Sequence, residues 1–148
     1  MTNDSLDAQP NNWEIRDKKL DRLCKLAWER LPTEAKKVIV DNQFNISDTP
    51  EWNQYVKQAL EQLQIKWNCA RFNPNTHIIE LSIEDCMGIP ESVITGSFVH
   101  ELAHAYQAAT TPRNLDAIEE AGDSLPVQWG FSSEIEALKA KRDELNSK

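Results

Sequence analysis

From Trp13 onward the chain switches between two hydrophobic periods, and the switches divide it into elements. Leu20, Leu23, Ala27 and Leu31 recur at three- and four-residue spacing among charged neighbours, which predicts one buried helix face, and Pro32 ends the run because proline disfavours a helical residue before it. A second, shorter helix is predicted from Thr33 to Val40. A third opens at Thr49-Pro50-Glu51, where Thr can cap and Pro suits the first helical position; its stripe is Trp52, Val56, Ala59, Leu60 and Leu63. The period then falls to two. Ile65, Trp67 and Cys69 alternate with polar residues, Asn73-Pro74-Asn75-Thr76 is turn chemistry, and His77 to Ser82 is β-rich, so a hairpin is expected over 65–83. Helical spacing returns after Pro90, with one helix over 90–110 and another over 127–146, joined by the polar, acidic stretch Thr110 to Pro126.

The resulting expectation is an α+β domain, rich in helix, with a small antiparallel sheet beside the helix at 90–110. Residues 1–12 carry Asn, Asp, Gln and Pro10 without a period and read as a loose tail. Residues 13–148 then form one domain, its helical N-terminal part ending near residue 64, because 148 residues support one core and not two.

Composition narrows the class of partner. Sixteen Lys and Arg against 24 Asp and Glu give a formal charge of −8, so no basic stripe is available for a phosphate backbone or an anionic bilayer. Nucleic acid and membrane surface are therefore not expected as partners, and no stretch approaches the roughly 18 apolar residues of a membrane span. Cys24, Cys69 and Cys86 are odd in number and widely spaced. They suggest neither a disulfide framework nor a thiolate metal site, and a reducing cytoplasm is the expected setting.

The chemistry is concentrated in one pentapeptide. His100-Glu101-Leu102-Ala103-His104 is an H-E-x-x-H pattern, whose random occurrence in a chain of this length is on the order of 0.01. At 100° per residue the two histidines lie about 40° apart on the helix and can grip one cation from a single face. Glu101 lies about 100° round from His100, within reach of a water on that cation. Ile94, Phe98, Leu102, Ala105, Tyr106 and Ala109 fall on the opposite arc as a core face, while Gly96, Ser97, Ala103 and Ala108 on the metal side are small and expected to leave room for ligand and substrate.

A hydrolytic zinc takes three protein ligands and keeps an open position, so a third ligand is required. His77 is the only other histidine, and the extended metzincin pattern fails at Gln107 and Thr110. The candidates are the carboxylates Asp116, Glu119, Glu120, Asp123, Glu134 and Glu136. On the last predicted helix Val127, Phe131, Ile135, Leu138 and Leu145 form the apolar stripe; Glu134 borders it at about −60° from Phe131 and Glu136 points away at about 140°. A carboxylate turned toward a core needs a partner to offset its desolvation, which favours Glu134. Glu136 has an ordinary reading as the end of a Ser133-x-x-Glu136 capping box or as a solvated charge.

Gly96 to Gln107, the β-segment His77 to Ser82 just upstream, and Glu134-x-x-Ala137 downstream together resemble the compact gluzincin metallopeptidases, most nearly the small minigluzincins and the ImmA/IrrE-like proteases. The resemblance spans roughly residues 65–140 and leaves the N-terminal helices unexplained. It implies a zincin-like fold, zinc held by His100, His104 and Glu134, Glu101 as catalytic base, and a peptide lying along His77 to Ser82 as a sheet edge. Gluzincins often place an Asp four residues after the glutamate ligand to orient the first histidine; here that position is Leu138, so the orienting group must come from elsewhere, such as a backbone carbonyl or Asp123.

The function so expected is zinc-dependent endopeptidase activity on a peptide or protein substrate, through a water activated on the metal and Glu101 as general base. His77, Tyr55, Arg71, Arg113 and Arg142 are candidate oxyanion stabilisers, each with an ordinary surface or core-edge reading, and the tryptophans 13, 28, 52, 67 and 129 read as core or core-edge, with Trp129 close enough to the proposed ligand to line a pocket. Two alternatives stand beside the enzyme. One is a zincin-like metal-binding module with little or no catalysis, acting as sensor or interaction protein; the other is a helical interaction protein in which the motif is incidental. Substrate identity and oligomeric state leave no mark in the sequence.

Overall fold

The computed structural model describes residues 9–10, 12–48, 69–73, 76–110 and 124–146. The predicted helix at Thr49 to Leu63 and most of the N-terminal tail and acidic connector lie outside these residues. The element order is β1 (Trp13–Glu14), α1 (Lys18–Arg30), α2 (Thr33–Asp41), β2 (Asn45–Ser47), β3 (Ala70–Asn73), β4 (Ile78–Leu81), the single turn α3 (Ile83–Cys86), α4 (Glu91–Thr110) and α5 (Ser132–Asn146).

Local chemistry sets the helix ends. Asp17 caps α1, its carboxylate accepting from the Leu20 backbone N–H at 2.9 Å. The helix buries Leu20, Leu23, Cys24, Ala27 and Trp28, the stripe its spacing predicts, and stops at Leu31, which is extended ahead of Pro32. Asp48, 2% exposed, holds the segment before α1 in place by accepting from the backbone N–H groups of Arg16 and Asp17 at 2.9 and 2.8 Å.

The four-stranded sheet runs β1-β2-β4-β3 and is mixed. β2 pairs parallel with both β1 and β4, and only β3 and β4 are antiparallel. The second strand of the expected hairpin is β4, with His77 at a positive φ of 58° before it; its partner β3 lies at Ala70–Asn73, beyond the alternating run Ile65 to Cys69, of which residues 65–68 lie outside the described residues. Two expectations are corrected here. The sheet is not purely antiparallel, because β2 joins it from a distant part of the chain and sequence alternation carries no record of strand direction. β4 is not an edge, since β2 and β3 occupy its two sides.

Two further corrections concern covalent and helical continuity. Cys69 and Cys86 form a disulfide, with Cα atoms 5.4 Å apart, because the ladder places the start of β3 beside α3; their spacing along the chain gives no hint of it. The cysteine argument for a reducing compartment falls with this pairing. The last helix is broken: residues 124–128 are helical, Trp129 and Gly130 turn with Gly130 at φ 98°, and α5 starts afresh at Ser132. Glycine supplies the left-handed conformation that ends the first segment.

α4 runs through the middle of the molecule, packing on α5, β3, β4, α1 and α2. It buries Val93, Ile94, Gly96, Ser97, Phe98, Val99, His100, Leu102, Ala103 and Ala105, so it is enclosed nearly all round rather than divided into a core face and an open face. Among the described residues no helix is long and apolar enough to cross a membrane.

Candidate metal centre

The histidines occupy the middle of α4, one turn apart, where the ring of His100 stands edge-on to that of His104 with centroids 4.5 Å apart. Their Nε2 atoms face each other at 3.0 Å. Without a cation, that contact works only if one ring brings a proton and the other a lone pair. Two nitrogens sharing one tetrahedral zinc at 2.0–2.1 Å would sit about 3.3 Å apart, close to the observed spacing. The Glu101 carboxylate Oε2 is 3.9 Å from His100 Nε2. Ligand atoms from His100, Glu101 and His104 all lie within 4.8 Å of one another, the one such metal-competent group among the described residues. His100 is buried, and Glu101 and His104 are half-buried, so the donors are taken out of bulk water. The donor chemistry and spacing fit a borderline-soft divalent ion.

The Glu134 carboxylate, the expected third ligand, is not brought into this group and is engaged elsewhere. It lies in the first turn of α5, half-buried as its place on the stripe predicts, while Glu136 is exposed. Its Oε2 accepts from Arg30 Nη1 at 2.7 Å and its Oε1 from the Ser133 hydroxyl at 3.0 Å, so of the two ordinary readings of Glu136 the exposed side chain fits the solvated charge. Burial raises the Glu134 pKa, but the Arg30 hydrogen bond, the residue's own backbone N–H, the Ser133 hydroxyl and the Arg30 charge outweigh it and leave the carboxyl below its usual value.

Gly96 explains how α5 comes so close. A Cβ built there overlaps the Glu134 carbonyl oxygen and falls 3.0 Å from the Glu134 carbonyl carbon and 3.1 Å from Leu138 Cβ. Gly96 is one turn before His100, so the backbone of Glu134 crosses α4 one turn from the histidine pair. The expectation that small residues on this side leave room for a substrate is therefore corrected at Gly96, where the space is filled by α5. Leu138 is 1% exposed and packs on the same glycine. A glycine inside a helical pattern, four residues before the first histidine, is a readable signal of close helix approach.

The remaining candidates separate. His77 sits before β4, stacked on Phe44 with centroids 4.6 Å apart, its Nδ1 3.1 Å from the Asn42 carbonyl oxygen. Arg71 pairs with Glu80 across the hairpin at 2.9 Å, and Arg142 is half-buried on α5. Tyr55, Arg113, Asp116, Glu119, Glu120 and Asp123 lie outside the described residues. Trp13 packs edge-on against Trp28 and Phe98, and Trp129 packs edge-on against Tyr106 at 5.7 Å. Tyr106 is half-buried, and its hydroxyl donates to Glu34 Oε1 at 2.7 Å. Sequence reasoning missed Arg30 and Glu34, which bring the α1–α2 corner onto the rim of α4 and α5; both contacts span 72 residues or more, beyond any local pattern.

Comparison with protein-family models, with curated proteins and with solved structures finds no match to this chain.

Proposed function

We propose that this chain is a zinc metallopeptidase of gluzincin type, hydrolysing peptide bonds in a peptide or protein substrate, with His100, His104 and Glu134 as the metal ligands and Glu101 as general base. The observation that carries the reading is the convergence of His100, Glu101 and His104 within 4.8 Å on a buried helix, with Nε2 atoms facing each other at close to a shared-ligand spacing. Zinc held there would polarise a peptide carbonyl and lower the pKa of a water toward roughly 7. Glu101, one residue along and half-buried, takes the proton from the attacking water and hands it to the leaving amine. The close approach of the Glu134 backbone to Gly96, one turn of α4 before His100, and the half-buried side chain support Glu134 as the third donor over the exposed Glu136.

Elemental analysis of the purified protein is expected to find one zinc per chain, lost in His100→Ala. Glu101→Gln is expected to keep that zinc and lose turnover by about 10²-fold or more. A wild-type protein without zinc, or a Glu101→Gln variant cleaving a peptide library at the wild-type rate, refutes the proposal.

One observation favours the reading as a metal-binding module with little catalysis. Leu138 stands where gluzincins often carry the Asp that orients the first histidine, and it is buried against Gly96, so that position serves packing and not His100. Stoichiometric zinc with no cleavage of any library peptide would select this second reading.

A further inference from the structure

The N-terminal helices reach the candidate site through one side chain. Arg30, in the last turn of α1, is held at three points by the segment that begins α5. Its Nη2 donates to the Gly130 carbonyl oxygen at 2.8 Å, its guanidinium lies 4.0 Å over the Phe131 ring, and its Nη1 donates to Glu134 Oε2 at 2.7 Å. Two of these contacts do not involve Glu134, so the guanidinium is fixed before the carboxylate meets it. Phe131 is fully buried, which makes it a rigid platform. The left-handed turn at Gly130 aims its carbonyl at the same guanidinium. The contact is well placed to set the angle of the Glu134 side chain, because guanidinium geometry is planar and directional in a way an ammonium is not.

We propose that Arg30 is a positioning residue for the third metal ligand: anchored on Gly130 and Phe131, it fixes the orientation of the Glu134 carboxylate in the first turn of α5, whose backbone meets Gly96 one turn of α4 before His100. This rests on the function proposed above. A carboxylate has about four lone-pair sites; Arg30, Ser133 and the residue's own backbone N–H take three, leaving one for a cation. Partners of ligating groups fix orientation and typically account for 10–100-fold in metal affinity. In this chain the Leu138 position cannot supply such a partner, and Arg30 supplies one to the carboxylate instead. The α1–α2 corner, which the resemblance to gluzincins leaves without a role, thereby becomes part of the site.

The test uses the full chain and two readouts other than turnover: zinc affinity by competition with a chromophoric chelator, and the visible absorption of the cobalt-substituted protein, which reports ligand number and geometry. Arg30→Ala is expected to weaken zinc binding 10–100-fold and to shift the cobalt spectrum toward that of Glu134→Ala, with Arg30→Lys between Arg30→Ala and wild type. In a Glu134→Ala background, Arg30→Ala is expected to add nothing further. Arg30→Lys also guards against an Arg30→Ala chain that does not fold, since it keeps the charge and the aliphatic stem. Unchanged affinity and spectrum in Arg30→Ala overturn the proposal, as does a loss that persists undiminished without Glu134. Tighter zinc binding in Arg30→Ala, the mark of a competitor for the carboxylate, overturns it too. These failures differ from failure of the zinc reading, in which wild type itself binds no zinc at His100 and His104.

Discussion

Gly96→Ala offers a sharp test because two effects of opposite sign meet at one atom. Replacing a glycine inside a helix by alanine ordinarily stabilises by roughly 0.5–1 kcal/mol, since the unfolded chain loses freedom and helix propensity rises. At Gly96 the added methyl group meets the carbonyl group of Glu134 and Leu138 Cβ. The obstacle is mostly backbone, which cannot rotate away, so α5 itself has to retreat. Its buried face there is Phe131, Ile135 and Leu138, each at most 1% exposed, and a gap of 0.5–1 Å forfeits a quarter to a half of each contact's attraction. Overpacking costs of about 1–3 kcal/mol are typical, and a backbone obstacle belongs at the top of that range. After the propensity gain a net loss of about 2 kcal/mol remains. For a domain of this size that is a fall in Tm of roughly 4–8 °C, readable by circular dichroism on the metal-free protein. Zinc affinity should fall as well, because Glu134 moves away with α5. A Tm equal to or above wild type would show that the helices do not approach at Gly96 and would leave Glu134 without support as the third ligand.

Other outcomes follow from burial and pairing. Leu138→Asp, which restores the acid that gluzincins often have, is expected to destabilise by about 3–5 kcal/mol because it buries an uncompensated carboxylate against Gly96; zinc titration and urea denaturation check this, and tighter zinc binding at wild-type stability would contradict it. A thiol reagent is expected to find no reactive cysteine in the native protein and one per chain after denaturation without reductant, since Cys69 and Cys86 are paired and Cys24 is buried; a second thiol on denaturation would refute the disulfide. Burial first, and then the charges of Asp21 and Asp48, push the Cys24 thiol well above its ordinary value. Its contribution to stability is therefore fully present below the unfolded thiol's pKa of about 8.5 and is lost as pH rises past it, which denaturation midpoints of wild type and Cys24→Ala from pH 7 to 10 would separate.

What sequence alone determined is what local periodicity can carry. The stripe of α1, its end at Pro32, the start of α2, the strand β4 and the extent of α4 are set by neighbours within a few residues, and each lies where the pattern puts it. The histidine pair belongs to this class, because one turn of helix brings residues 100 and 104 together whatever surrounds them. The burial difference between Glu134 and Glu136 was readable for the same reason.

Tertiary structure decided everything that depends on which distant segment arrives. Strand direction and the interior place of β4 follow from β2 entering the sheet. The Cys69–Cys86 pair follows from the ladder that sets β3 beside α3. The small-residue face of α4 looked open on a helical wheel, and Gly96 admits another helix instead. The partner of Glu134 is Arg30, 104 residues away, and no spacing rule reaches that far. Periodicity reports which face of an element seeks burial, while the identity of what covers it is settled only when the chain closes on itself.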